Sequence, residues 1–124
     1  VTREELIAAL ERTDGPSRKL DAAIYKVAVG LKQYESIVSD ALEEVCVRYY
    51  PGPPGPSFSR VPRYTSSLDA ALTLVPEGWD WCIACISGKW DAQVGEADTF
   101  MAEGAASNGS VAIALCIAAL KARA

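Results

Sequence analysis

Every residue from Val111 to Leu120 is apolar. The stretch reads as a helix that is apolar almost all round, and such a helix has to be enclosed by the rest of its protein. It is too short to span a bilayer. Ser107, Asn108, Gly109 and Ser110 precede it as a polar turn with capping residues, and Lys121 and Arg123 follow where the helix dipole favours cations. The last quarter of the chain therefore predicts a buried helix over 111–122. The other elements of a 124-residue chain, the size of one domain, must cover it.

Those elements can be read from periodicity and punctuation. Thr2 and Glu5 have the spacing of a capping box, and Leu6, Ile7 and Leu10 form one stripe of a first helix. That helix ends at Asp14-Gly15-Pro16. Ser17 caps a second helix with Leu20, Ile24, Val27 and Leu31 on one face, which Gly30 weakens but need not end. Gln33–Tyr49 again looks helical, with Ile37, Val38, Ala41, Leu42 and Val45 on one side. Whether 31–59 holds one helix or two stays open. Pro51 to Ser57 carries four prolines, which exclude helix and disfavour a paired strand; it reads as an extended connector within one domain over 1–124. Ser67 and its neighbours cap a helix carrying Leu68, Ala71, Leu72 and Val75, and Pro76-Glu77-Gly78 ends it. Trp79–Ile86 is rich in aromatic and β-branched residues, Ser87-Gly88-Lys89 is a turn, and Trp90–Val94 alternates apolar and polar, so a hairpin follows. Thr99–Ala102 offers a third antiparallel strand, with a polar turn from Ala105 to Ser110. The class expected is α+β: an antiparallel sheet of about three or more strands covered by helices, an α/β/α-type sandwich.

The residues give little support to catalysis. There is no histidine, which removes the commonest general base and metal ligand. Asp80 and Asp91 flank the hairpin and could face each other across its strands, leaving at most a carboxylate-only hydrolase. Cys82 and Cys85 have zinc-like or redox-like spacing, but in a strand positions i and i+3 point to opposite faces. All four cysteines, Cys46, Cys82, Cys85 and Cys116, are expected to be reduced core thiols without a metal. No phosphate-cradling glycine loop is written, and no cofactor is implied.

The net charge of −4 argues against a broad duplex nucleic-acid interface. No long apolar segment points to a membrane or a signal peptide. Half the residues are apolar, high for so small a body, which suggests burial between copies and a homo-oligomer. Two places could hold a phosphorylated ligand. One is the start of the last helix, at Ser107, Asn108 and Ser110. The other is the Arg/Tyr cluster around the connector: Arg48, Arg60 and Arg63 with Tyr49, Tyr50 and Tyr64. Trp90 is the aromatic best placed to stack a base. The bland alternatives are plain helix capping, a solvated loop and a core tryptophan.

Three blocks taken in order resemble a known family. They are Gly15–Ile24 (GPSRKLDAAI), Pro62–Trp79 (PRYTSSLDAALTLVPEGW) and Ala112–Ala122 (AIALCIAALKA). Together they resemble the phage ABA-sandwich family of short phage and prophage proteins; between Lys32 and Ser59 the chain departs from that pattern, which there has less helix and no proline connector. The resemblance implies an antiparallel sheet covered by helices. It fixes no activity. Some small phage proteins of similar size and layering, the Thoeris anti-defence sponges among them, sequester nucleotide signals of bacterial immunity. The function expected is thus a phage-encoded, non-catalytic binding protein in the cytoplasm of a bacterial host cell. Its partner would be a cyclic nucleotide or an ADP-ribose derivative. The alternative is an interaction module that binds a host or phage protein and no small ligand.

Overall fold

The computed structural model describes residues 2–32, 35–39, 44–49, 55–96 and 110–122, and the backbone of 102–106. The helices are α1 (Arg3–Arg12), α2 (Arg18–Ile24), α3 (Leu68–Leu72) and α4 (Val111–Ala122). The strands β1 (Ser36–Ser39), β2 (Val45–Tyr49) and β3 (Ser57–Arg60) form one antiparallel sheet in that order. The strands β4 (Asp80–Ile86), β5 (Lys89–Gly95) and β6 (Ala102–Ala106) form a second. The class is α+β, with antiparallel sheets packed against helices.

Helix α4 is enclosed as its composition demands. Every residue from Ala112 to Leu120 is buried. Strands β5 and β6 lie against it on one side, and α1 and α3 complete its surroundings. Its alanines let neighbouring backbones come close while Ile113, Leu115, Ile117 and Leu120 fill the space between them. The α1 stripe of Leu6, Ile7 and Leu10 joins the same core. The three helix starts predicted from their caps are all present. Thr2 Oγ1 accepts from the Glu5 amide at 3.1 Å, Ser17 Oγ from Leu20 at 3.2 Å, and Ser67 Oγ from Ala70 at 3.3 Å.

Three readings of the sequence need correction. The helix expected over Gln33–Tyr49 is a pair of strands, β1 and β2, with Ser36 opposite Arg48 and Ser39 opposite Val45. Ile37, Val38, Val45 and Val47 are β-branched and favour a pleated surface, and the buried Val45 and Val47 of β2 alternate with the more exposed Cys46 and Arg48. The second helix also stops earlier than Leu31. It passes into a π-helical turn at Tyr25–Val29 and ends at Gly30, whose amide donates to Tyr25 at 2.9 Å and whose φ of +83° suits glycine alone. The third strand of the hairpin sheet runs over Ala102–Ala106, so Ala105 and Ala106 belong to it and not to a turn. Residues 97–101, where that strand was expected to begin, lie outside the described residues, as do 51–54 of the proline connector and Tyr50. Ser57, at the connector's end, pairs with Tyr49 as the start of β3.

The predicted hairpin is present, closed by Ser87-Gly88 with Ile86 opposite Lys89. Both loop residues have positive φ, 53° and 80°, the type I′ geometry that matches strand twist. The register places Asp80 opposite Gly95 and Asp91 opposite Ala84. The two aspartates therefore do not face each other, and the carboxylate pair considered for hydrolysis does not form.

Candidate binding face on the first sheet

The faces of the β1–β2–β3 sheet are set by its register. Ile37, Val45 and Val47 point inward to the core. On the other face Arg48 stands opposite Phe58, and Arg60 stands opposite Cys46. Residues directly opposite have Cβ atoms about 5 Å apart and diagonal neighbours about 7–8 Å. Arg48, Phe58 and Arg60 thus form one contiguous group. All three are exposed, Phe58 at 58%. Neither arginine has an ion-pair partner among the described residues.

A network of buried and partly buried polar groups holds this sheet to the helices. The Asp21 carboxylate, 1% exposed on α2, accepts from the Thr65 amide and the Thr65 hydroxyl, both at 2.8 Å, and from Arg18 Nη1 at 2.7 Å. The Ser17 amide donates to Thr65 Oγ1 at 2.9 Å. Arg18 Nη2 reaches Glu44 Oε1 at 2.6 Å and the carbonyls of Val61 and Val45 at 2.8 and 3.1 Å. One guanidinium therefore ties the start of β2 and the segment after β3 to α2. Burial works against the Arg18 charge, but Asp21 and Glu44 outweigh it and its pKa is raised. Burial likewise opposes the Glu44 charge. The Arg18 bond and the charges of Arg18, Arg63 and Arg60 prevail, holding that carboxyl below the usual carboxylate range.

The residues singled out from the sequence separate in space. Arg60 lies on the exposed face. Arg63, in the turn before α3, is exposed but donates to Glu44 Oε2 at 2.7 Å. Tyr64 is 2% exposed and packs in the core, so its grouping with the surface arginines is corrected: its ring offers no stacking platform. Trp90 is half-buried and packs against the core from β5, away from the arginine face. Ser107 and Asn108 lie outside the described residues. The Ser110 hydroxyl accepts from the Ile113 amide at 3.3 Å and donates to the Thr65 carbonyl at 3.4 Å, which is capping and tethering. Phe58, just past the connector that ends at Ser57, was missed; the alternation of Phe58 and Arg60 was its only signal. A recess of about 350 Å³ bordered by Arg3, Val27, Ala28 and Leu120 offers anions less, since Arg3 already pairs with Glu4 at 3.0 Å.

The cysteines also depart from the core-thiol reading. Cys116 is buried, and its Sγ donates to the Tyr64 carbonyl at 3.2 Å. Cys46 is half-buried, and Cys82 and Cys85 are exposed. Their strand lies at the sheet's edge, where apolar character does not bring burial. Among the described residues no group of three or more Cys, Asp or Glu gathers to hold a metal. Burial, and then the nearby Asp21 charge, push the Cys116 thiol up from 9.0 to about 12. At pH 8 that leaves roughly a thousandfold less thiolate than in an ordinary cysteine. Alkylation of the native protein followed by peptide mapping should modify Cys82 and Cys85 well before Cys116, and Cys116 only after denaturant is added. Equal labelling of all four would contradict the placement of α4.

No family model, curated protein or solved structure matches the chain.

Proposed function

We propose that the chain is a non-catalytic binding protein that captures a phosphorylated nucleotide signal on the exposed face of its first sheet. The observation that carries this reading is the group of Arg48, Phe58 and Arg60. Two cations with no ion-pair partner among the described residues flank an exposed aromatic ring, on a backbone held by the Arg18–Asp21–Thr65 network. A guanidinium pair suits a phosphate, and an aromatic ring beside it suits a base. Pairing across β2 and β3 fixes the backbone that carries all three before a ligand arrives, which lowers part of the ordering cost of binding. The resemblance to phage ABA-sandwich proteins makes a cyclic nucleotide or ADP-ribose derivative of bacterial antiphage immunity the ligand class to test first. Sequestration needs no chemistry beyond such binding.

The openness of this face favours one second reading. Exposed Arg and aromatic residues are also what protein-interaction surfaces use, and Phe58 stands with Arg48 and Arg60 on this face. An interaction module would bind a host or phage protein through the same residues.

Native mass spectrometry with a panel of cyclic mono- and dinucleotides and ADP-ribose derivatives tests the first reading. A stoichiometric adduct is expected for at least one compound, with the Arg48→Ala, Arg60→Ala double variant losing roughly a hundredfold or more in affinity, since each charged hydrogen bond contributes about 1.5–3 kcal/mol. No adduct across the panel would end the nucleotide reading and leave the interaction module.

A further inference from the structure

Strand β4 is the outer strand of the second sheet, and the usual defences of an edge are missing from it. Between Trp81 and Ile86 it carries no charge and no proline, and it runs for seven residues. Trp81, Cys82, Ala84 and Cys85 are exposed, Trp81 at 44%. Natural edges are normally short, charged, bulged or covered. Among the described residues, no strand pairs with the outer side of β4.

The hairpin register decides which backbone groups are available there. In a two-residue I′ hairpin the residues flanking the loop, here Ile86 and Lys89, exchange hydrogen bonds. Bonding then alternates along the strand. Asp80, Cys82, Ala84 and Ile86 spend their N–H and C=O groups on β5. Trp81, Ile83 and Cys85 turn theirs outward.

We propose that this edge is the dimer interface of the protein: β4 pairs antiparallel with β4 of a second copy about a two-fold axis at Ile83, joining two three-stranded sheets into one of six. In this register Ile83 meets its own counterpart and Trp81 meets the partner's Cys85, so all six outward amides and carbonyls of the three residues on each copy are bonded. The register is self-complementary in size, because the bulky indole stands against a small thiol. It is also self-complementary in charge. Asp80 comes to lie two strands from the partner's Lys89 on the same face, about 10 Å between backbones, a span that the long lysine stem can bridge. Paired in the opposite, parallel sense, β4 would bring Asp80 beside its own copy. These matches favour a second copy over a foreign strand. The inference is independent of the nucleotide reading, since Arg48, Phe58 and Arg60 belong to the other sheet.

Two variants test it. Ala84 is exposed and lies opposite the partner's Cys82 in this register, as a non-hydrogen-bonded pair with closely spaced Cα atoms. Under mild oxidation Ala84→Cys is expected to form a covalent dimer whose tryptic map contains a Cys82–residue 84 disulfide, while Ala84→Lys, folded by circular dichroism, is expected to sediment as a monomer. The parent should sediment at twice 13.2 kDa at tens of micromolar. A parent that stays monomeric there overturns the proposal. So does an Ala84→Lys protein that remains dimeric, and so does a dimer whose Ala84→Cys form gives no such crosslink.

Discussion

Replacing Asp21 with alanine is expected to cost about 3–5 kcal/mol of stability, the range for removing one partner of a buried ion pair. The carboxylate is 1% exposed, and its loss takes the acceptor from the Thr65 amide and leaves the Thr65 hydroxyl and Arg18 Nη1 only the longer bonds to the Ser17 and Pro62 carbonyls, at 3.2 and 3.4 Å. Thr65 is fully buried, so water cannot readily replace the lost acceptor. Domains are stable by only about 5–15 kcal/mol, so the variant should lose a large share of its total stability. Urea unfolding followed by circular dichroism checks this, with the exposed Asp69→Ala as the control expected to stay within about 0.5 kcal/mol of the parent. Thr65→Val and Asp21→Ala should be non-additive, because both remove the bond between the Thr65 hydroxyl and the Asp21 carboxylate. A loss below about 1 kcal/mol for Asp21→Ala would mean that the network does not hold the sheet to α2.

Leu115→Ala should cost about 2–5 kcal/mol, the range for emptying a packed leucine site. Leu115 is fully buried in the middle of α4, with strands on one side of the helix and helices on the other. Neighbours on several sides cannot all collapse into the same void, which points to the upper part of that range. The urea midpoint should fall with little change in slope, because the surface exposed on unfolding is nearly unchanged. An effect of less than 1 kcal/mol would place α4 at the surface.

What could be read from the sequence follows from where the signals were local. The caps at Thr2, Ser17 and Ser67, the turn at Ser87-Gly88-Lys89 and the apolar run of α4 each act within a few residues, and each appears as expected. The segment before the proline connector was misread because Ile37, Val38 and Val45 satisfy helical spacing as well as strand alternation. Only pairing with a distant strand decides between them, and that information is non-local. The candidate face suffered from the same gap. Arg48 and Arg60 were visible as a loop cluster, but their meeting with Phe58 depends on the β2–β3 register. Tyr64 was placed with them by proximity in sequence, whereas the turn after Val61 carries it into the core.

The most direct test of the binding face is an amide-resolved NMR titration of the ¹⁵N-labelled protein with the compound that native mass spectrometry selects. The account predicts the largest shifts at Val47, Arg48, Phe58, Ser59 and Arg60, with Trp90 and Ser110 unmoved and the whole response abolished in the Arg48→Ala, Arg60→Ala variant. Shifts centred instead on the start of α4 or on Trp90, and unchanged in that variant, would contradict it.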